Sequence, residues 1–261
     1  MIGPADPALC CCVVVPARDE QALIGGCIDA LACQSGVEAA AYELLLVLDD
    51  CRDATRERAC EQGARHPRLR LHLLESPGRG PGAARRAGME LACARLHRAG
   101  RPDGLIACTD ADSRVAPDWV HAQVEAARHG ARAIGGRIEL DRSAARELGS
   151  AVTDARARDA ARRHARIRSR PGPPGSTAEH WQFSGASMAV TAGTYRAVGG
   201  LEPLAALEDE AFEAALIEHG VPITRSLAVR VRTSARLRGR AGRGLAHDLA
   251  AAVGWAPAGS T

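Results

Sequence analysis

Short apolar runs alternate with stretches of helical periodicity through the first half of the chain. Short, mainly apolar runs are typical of strands whose two faces are both buried. Helical stretches between such strands indicate crossover connections on both sides of a parallel sheet. The runs predict strands at residues 10–15, 43–48, 69–74, 105–109 and 133–138, and the stretches between them predict helices at residues 20–33, 53–64, 81–98 and 117–129. We therefore expect an α/β fold with a doubly wound, mostly parallel sheet and helices on both faces.

The pattern changes after Asp141. Residues 143–168 predict one long helix that is rich in arginine and ends at a proline- and glycine-rich segment, residues 171–175. The rest of the chain predicts a strand at residues 183–190, a helix at 208–219, a strand at 223–231 and a weak helix near 245–253. We place a boundary near Asp141 inside one domain, with a small extension on its far side. The tail from residue 232 onward is expected to be flexible and basic.

The composition removes several chemistries. The chain has 34 basic residues and contains no lysine and no asparagine, so every basic residue is an arginine. A Walker P-loop and a Schiff-base enzyme both need lysine, and a protein kinase needs lysine and asparagine. The net charge of +3 is too small to imply nucleic acid as a specific partner.

The nine cysteines are odd in number and form no C-x-x-C pair, which argues against a disulfide framework and a zinc site. Cys10, Cys11 and Cys12 run into three valines, so they are predicted to be small hydrophobic residues of a reduced protein. The sequence has no signal-peptide pattern and no apolar stretch of membrane-spanning length. We expect a cytoplasmic protein with at most peripheral membrane contact, and a homodimer is left open.

Acidic residues come directly after three of the predicted strands. Ligands of a parallel sheet bind at the carboxyl ends of its strands, although any single carboxylate there is equally consistent with a helix cap. Alternate residues of an extended segment point the same way, so Asp110 and Asp112 are predicted to converge on one hard cation, Mg²⁺ or Mn²⁺. The acidic positions are Asp19 and Glu20 after the first strand, Asp49 and Asp50 after the second, and Asp110 and Asp112 after the fourth.

Four short segments resemble, in order and spacing, the nucleotide-sugar half of the family 2 glycosyltransferases, which have the GT-A fold. They are residues 13–20 (VVVPARDE), 49–50 (DD), 82–85 (GAAR) and 109–112 (TDAD). The resemblance covers roughly residues 10–230. It implies a nucleotide-sugar-binding half at residues 1–141, an acceptor and catalytic half of the same domain at 142–231, and the basic segment at 232–261.

The resemblance also implies an activity. The protein would be a soluble transferase of the hexosyltransferase type, which moves a sugar from a nucleotide-diphosphate-sugar donor to a hydroxyl acceptor with inversion. A divalent cation, Mg²⁺ or Mn²⁺, would be the cofactor. The acceptor is left open between a small molecule, a lipid and a glycan.

The resemblance assigns the donor side residue by residue. Asp112 is implied to be the principal metal ligand, and Asp110 is implied to contact the sugar or ribose of the donor and to be a second metal ligand. Arg85, in the helix that begins at Pro81, is implied to contact the diphosphate; the alternative is a surface arginine that pairs with a neighbouring acid. The other residues implied to line the donor site are Pro16, Ala17, Arg18, Asp19, Glu20, Asp49, Asp50 and Gly82.

Residues 183–200 resemble the segment that precedes the catalytic acid pair of the family, and that pair falls on Glu208 and Asp209. An inverting transferase needs a carboxylate that takes the proton of the acceptor hydroxyl, and we expect Asp209 to be this base. The alternative is that the two acids only complement the N-terminal dipole of their helix. The residues implied to belong to loops around the donor and acceptor are Gly185, Ser187 and Arg236.

Departures from the family pattern leave the donor open. Cys51 and Arg52 stand where the family usually has a Gly-Ser pair, and Arg86 stands where asparagine is frequent. The Q-x-x-R-W motif of processive synthases is absent, which implies a single transfer. A nucleotidylyltransferase is disfavoured because its G-G-x-G-T-R loop and its lysine are missing. The remaining alternatives are a retaining transferase, which needs no base, and a non-catalytic GT-A-like module that binds polyanions through arginines.

Two arginine clusters lie outside most of these motifs. The cluster at residues 156–170 is better explained as the solvated face of a helix than as a site for an anionic acceptor or a lipid surface. The cluster at residues 230–243 follows the last strand, where the resemblance implies a loop that closes over the diphosphate; the composition is equally consistent with a disordered basic tail.

Overall fold

The computed structural model of the protein describes residues 2–169, 172–239 and 243–255. The strands within these residues are β1 (Cys11–Ala17), β2 (Tyr42–Asp49), β3 (Leu71–Ser76), β4 (Leu105–Cys108), β5 (Ser113–Val115), β6 (Ala133–Leu140), β7 (Thr177–Ala178), β8 (Met188–Thr191) and β9 (Ile223–Thr233). The helices are α1 (Ile24–Ala32), α2 (Thr55–Arg65), α3 (Pro81–Arg98), α4 (Trp119–Arg128), α5 (Arg142–Glu147), α6 (Ser150–Ser169), α7 (Ala192–Ala197), α8 (Glu208–Glu218) and α9 (Leu245–Ala252).

The strands form a single sheet in the order β3-β2-β1-β4-β8-β6-β9-β5, and β7 pairs with β9. The pairs among β3, β2, β1 and β4 are parallel, as are those of β9 with β6 and β7. Strand β8 is antiparallel to both β4 and β6, and β5 is antiparallel to β9. The predicted α/β fold with a mostly parallel sheet and helices on both faces is confirmed.

The apolar runs of the sequence become the two-sided core. Along β1, Val13 and Val15 join the cluster on one face of the sheet, while Cys12 and Val14 join the cluster on the other. Helices α1 and α4 cover the first face, and α3, α7 and α8 cover the second. Because successive side chains of a strand point to opposite faces, a strand between two helical layers needs apolar residues at every position.

The predicted helix at residues 143–168 is two helices, α5 and α6. They are separated by Gly149, whose backbone is left-handed (φ +80°), the conformation in which glycine commonly ends a helix. The breaker Pro171 lies outside the described residues, whereas residues 172–175 form the turn that follows. The predicted strand at residues 183–190 is shorter, because Ser187 N–H donates to Ser184 O and closes a turn before β8 begins.

A third, smaller hydrophobic cluster lies beyond the sheet and joins α6 and α9. Its buried members are Val152 of α6, Ala235 after β9 and Leu249 of α9, and Leu237 packs against them. The described part of the predicted basic tail therefore packs on the protein through these residues. Arg170, Arg240 and residues 256–261 lie outside the part of the chain that the structure describes.

None of the described helices combines the length and the apolarity needed to cross a bilayer. All nine cysteines lie within the described residues and are free thiols. Cys11 and Cys12 are fully buried in β1, where burial raises the pKa of both thiols well above the ordinary value. They pack as small apolar side chains.

Candidate active site

The carboxyl ends of β1, β2 and β4 meet at one edge of the sheet. Strand β1 lies between the other two and is parallel to both, so the acidic residues that follow the three strands come together. Proline and alanine at the end of β1, Pro16 and Ala17, pair with Val47 and Leu48 of β2. The acidic residues predicted after these three strands thus share one edge of the sheet.

Asp49 and Asp50, at the end of β2, have different environments. Asp49 is buried and its carboxylate accepts hydrogen bonds from Ser76 Oγ (2.6 Å), Gly78 N–H (3.1 Å) and Gly80 N–H (3.1 Å). It therefore holds the loop between β3 and α3. Asp50 has a left-handed backbone (φ 51°) and a side chain that is 43% exposed, so its carboxylate is accessible to a ligand.

The segment after β1 turns back toward the other strands. Arg18 lies with Nη1 3.9 Å from Asp49 Oδ2, and the backbone of Asp19 is left-handed (φ 52°). Glu20 is buried, and its N–H donates to Thr55 Oγ1 over 2.7 Å. The side chain of Glu20 pairs with Arg236, which the sequence pattern did not indicate.

The D-x-D segment is a turn and not the extended segment expected from the sequence. Ser113 N–H donates to Asp110 O over 3.0 Å, and residues 111–112 are in the turn. The side chains of Asp110 and Asp112 consequently have different partners, Arg85 and Arg236. Burial and the charge of Asp110 raise the pKa of Asp112 to about 6, although Arg236 lowers it.

Arg85 lies at the centre of the site, and its side chain is only 4% exposed. Its Nε donates to Glu208 Oε1 (3.1 Å), Nη1 to Gly185 O (3.0 Å) and Nη2 to Asp110 Oδ1 (2.8 Å). Burial disfavours the charge of Arg85, but the carboxylates of Asp110 and Glu208 outweigh it, so its pKa is raised. Contact between this guanidinium and a diphosphate would require one of these bonds to break.

The predicted acid pair begins α8. Leu207 has a left-handed backbone (φ 61°), which is uncommon for a bulky side chain and turns the chain into the helix. Glu208 is buried against Arg85, and Asp209 Oδ2 accepts Ser184 Oγ (2.6 Å) and Gly185 N–H (3.0 Å). Ser184 was inside the segment that carried the resemblance, yet no periodicity marked it as a partner of Asp209.

Two of the residues predicted for the site, Ser187 and Gly82, are packed against other parts of the protein. Ser187 is fully buried and its Oγ accepts Trp119 Nε1–H over 3.1 Å, so the structure does not bring this side chain to the surface of the site. Gly82 is where α3 passes closest to the loop before α8, because a Cβ there would lie 2.1 Å from Leu204 O. Only glycine allows this approach, which brings Arg85 within reach of α8.

The arginine helix α6 lies beside the acid pair. Arg163 is 4.7 Å from the centre of the Trp181 ring and its Nη1 is 3.5 Å from Glu210 Oε1, at the start of α8. Arg158, Arg162 and Arg166 follow one another at four-residue intervals, and each is exposed. The solvated face expected from the sequence is therefore present on one side of this helix, and the other side contacts the site.

Within the described residues, no three His, Cys, Asp or Glu side chains gather closely enough to hold a metal ion alone. The chemistry of Asp110 and Asp112 nevertheless fits a hard divalent cation, because carboxylate oxygens are its preferred ligands. The pKa of Asp112 is raised because burial and the negative charge of Asp110 disfavour its ionised form more than Arg236 favours it. Oxygens of a diphosphate would complete the ligand set of such a cation.

The architecture and the clustered carboxylates together define a glycosyltransferase of the GT-A type. The sequence pattern of the family described as Glycosyl transferase family 2 matches residues 12–183, about two thirds of the chain. The chain belongs to this family, and the prediction made from the motifs is confirmed. Comparison with curated protein sequences found no match.

Solved structures of the same fold are similar over most of the chain. Mannosyltransferase PcManGT from Pyrobaculum calidifontis, in complex with GDP-Man and Mn²⁺, has a TM-score of 0.61 and 20% identity, covering 91% of this chain and 61% of that one. S. aureus TarS 1-349 in complex with UDP-GlcNAc has a TM-score of 0.62 and 13% identity, covering 93% and 65%. At such identities the likeness concerns the fold. The chain spans about three fifths of the length of the mannosyltransferase.

Proposed function

We propose that this protein transfers a hexosyl group from a nucleotide-diphosphate-sugar donor to a hydroxyl acceptor, with inversion and with the help of a divalent cation. The observation that carries the proposal is the single network that joins Asp110 to Glu208 through Arg85. The carboxylates proposed for the donor side and for the acceptor side are thus bonded to one guanidinium, and transfer between two substrates requires such proximity.

The donor side would work as follows. Asp50, which is accessible, would accept hydrogen bonds from the base or ribose, and Asp49 would keep the adjoining loop in place. Asp110 and Asp112 would hold Mg²⁺ or Mn²⁺ against the diphosphate. The cation would neutralise the charge that develops on the leaving diphosphate. GDP-Man and UDP-GlcNAc, bound by the structural relatives, are the donors to test first.

The acceptor side would supply the base. Ser184 Oγ and Gly185 N–H orient Asp209 through one carboxylate oxygen, and each carboxylate oxygen has further lone pairs that can accept a proton. Asp209 would remove the proton of the acceptor hydroxyl as its oxygen attacks the anomeric carbon. Arg85 would be a positioning residue, because it orders Glu208 and Asp110 without an exposed surface of its own.

Thermal-shift measurements test the donor side. We expect UDP or GDP to raise the melting temperature in the presence of Mn²⁺ and to raise it much less with EDTA, because a ligand that binds only the folded state stabilises it. Asp112→Asn should abolish the Mn²⁺-dependent shift. The matched control is Asp103→Asn, an exposed carboxylate just before the opposite end of β4, which should respond like the wild type.

If neither UDP nor GDP raises the melting temperature of the wild type, the donor assignment is overturned. A shift that survives in Asp112→Asn would overturn the metal assignment and leave the donor assignment standing. The anomeric configuration of the product, read by NMR once an acceptor is found, distinguishes inversion from retention.

A further inference from the structure

Arg236 places a guanidinium between two carboxylates of the donor side. Its Nη1 lies 2.8 Å from Glu20 Oε2, and its Nη2 lies 2.7 Å from Glu20 Oε1 and 3.0 Å from Asp112 Oδ2. The contact with Glu20 is therefore bidentate, and one Nη is shared with Asp112. Glu20 and Asp112 side chains are 6% and 11% exposed, so water screens this cluster poorly.

The segment that carries Arg236 is anchored on both sides of it. Ala235 is buried in the small cluster with α6 and α9, and Leu237 packs against the same cluster. Ser234 N–H donates to Asp112 O over 3.2 Å. Arg236 alternates with these two apolar neighbours and points to the opposite side, toward the carboxylates. The guanidinium is thus held at Asp112 by packing as well as by charge.

The proposed divalent cation would bind the same carboxylate, that of Asp112. A divalent cation binds carboxylate oxygens at about 2 Å, and it would meet a positive charge already bonded to Asp112 Oδ2. The cation and the guanidinium repel each other and compete for the lone pairs of one carboxylate. Glu20 is a second partner of Arg236. Arg236 can therefore lose its contact with Asp112 and keep both of its contacts with Glu20.

We propose that Arg236 is the resident counter-cation of Asp112 in the metal-free protein, and that the divalent cation must displace it from Asp112 while Glu20 retains it nearby. This inference rests on the proposed function. The Nη donor released from Asp112 becomes available to the anionic diphosphate, which arginine binds well. A contact with the diphosphate thereby replaces the contact with Asp112 that Arg236 loses to the metal. Metal and donor consequently bind cooperatively, and each increases the affinity of the other by the same factor.

Titration of Mn²⁺ followed by EPR, without nucleotide, tests the competition directly. Arg236→Gln removes the competing charge, and we expect it to bind Mn²⁺ about tenfold more tightly than the wild type. Arg238→Gln is the matched control, because Arg238 lies two residues farther along the same segment and is exposed. It should bind Mn²⁺ as the wild type does.

A second measurement tests the coupling. With UDP or GDP titrated calorimetrically, saturating Mn²⁺ should strengthen nucleotide binding by a larger factor in the wild type than in Arg236→Gln. Arg236→Lys serves if the glutamine variant does not fold, since lysine keeps a charge but cannot form the two-pronged contact with Glu20. It should also bind Mn²⁺ more tightly than the wild type, by a smaller factor.

Equal or weaker Mn²⁺ binding by folded Arg236→Gln, or by Arg236→Lys in its place, would overturn the inference and leave the proposed function intact. If neither the wild type nor the variants bind Mn²⁺, with or without UDP or GDP, the metal dependence in the proposed function fails and the inference fails with it. Tighter binding in both Arg236→Gln and Arg238→Gln would reflect net charge alone and would also overturn it.

Discussion

Arg85 Nε lies 3.1 Å from Glu208 Oε1, and both side chains are more than nine-tenths buried. The two residues are 123 positions apart and belong to helices α3 and α8 on the same face of the sheet. Since Arg85 also donates to Asp110, this ion pair couples the position of Asp110, in the proposed donor side, to the position of α8. A substitution that moves Glu208 should therefore also move Asp110, and the reverse.

The first prediction concerns this ion pair. Arg85→Gln leaves Glu208 buried without its cation, and breaking a buried pair typically lowers the free energy of unfolding by about 3–5 kcal/mol. Urea denaturation measures the loss. The control is Arg86→Gln on the same helix. The Arg86 side chain is 43% exposed and its Nε lies 3.8 Å from Glu90 Oε1, so the effect should be below about 1 kcal/mol. Equal losses in the two variants would contradict a central role for Arg85.

The second prediction concerns Asp209, the proposed base. Asp209→Asn keeps the hydrogen bonds from Ser184 and Gly185 in reach but cannot take a proton, so transfer should fall by about 10² to 10⁴. The measurement is the turnover of donor and acceptor at saturation, together with the affinity for UDP or GDP, which should be unchanged. Glu210→Gln, an exposed neighbour in the first turn of α8, is the control. Full turnover in Asp209→Asn would favour a retaining mechanism.

The third prediction tests how closely Gly185 packs on Arg85. A Cβ at this position would lie 2.4 Å from Arg85 Nη2, so Gly185→Ala must push the guanidinium away from Asp110 or Gly185 O. We expect lower stability by about 1–3 kcal/mol and weaker nucleotide binding, measured by denaturation and calorimetry. Gly25→Ala is the control, since its Cβ in α1 would have no atom closer than 3.9 Å. The inference of close packing fails if both variants behave alike.

The fourth prediction concerns acid stability away from the site. Glu43 is buried at the start of β2; burial disfavours its charge, but hydrogen bonds from His72 and Arg95 outweigh burial and lower its pKa to about 2. As the pH falls, the unfolded state takes up the proton first. The stabilisation, about 3 kcal/mol, is therefore complete above about pH 4.5 and is lost as the pH falls toward 2.

Denaturation at a series of pH values between 2 and 6 tests this prediction. The free energy of unfolding should fall less steeply with falling pH in Glu43→Gln than in the wild type. That variant is also less stable at neutral pH, because Arg95 loses its partner. Glu75→Gln removes an exposed carboxylate on the neighbouring strand β3 and should leave the slope unchanged. An unchanged slope in Glu43→Gln would show that Glu43 is not responsible.

Much of the fold was predictable from the sequence because the relevant signals are local. Apolar runs such as the one at Cys11–Ala17 predict strands, and the helical stretches between them predict parallel pairing on physical grounds. The break between α5 and α6 was missed, since the arginine-rich pattern continues past Gly149 and only its left-handed backbone separates the helices. The antiparallel insertion of β8 between β4 and β6 was also missed, because no local pattern encodes which strands become neighbours.

The candidate site divides in the same way. The family, the mostly parallel sheet and the acidic residues at strand ends can be read from the sequence, because they follow from periodicity and from motifs of contiguous residues. The pairing of the charges cannot be read from it: Arg85 pairs with Glu208, and Arg236 pairs with Glu20, 216 positions away. Such pairs form between side chains that folding brings together from distant parts of the chain. Their energies depend on distance and burial, which a linear sequence does not contain.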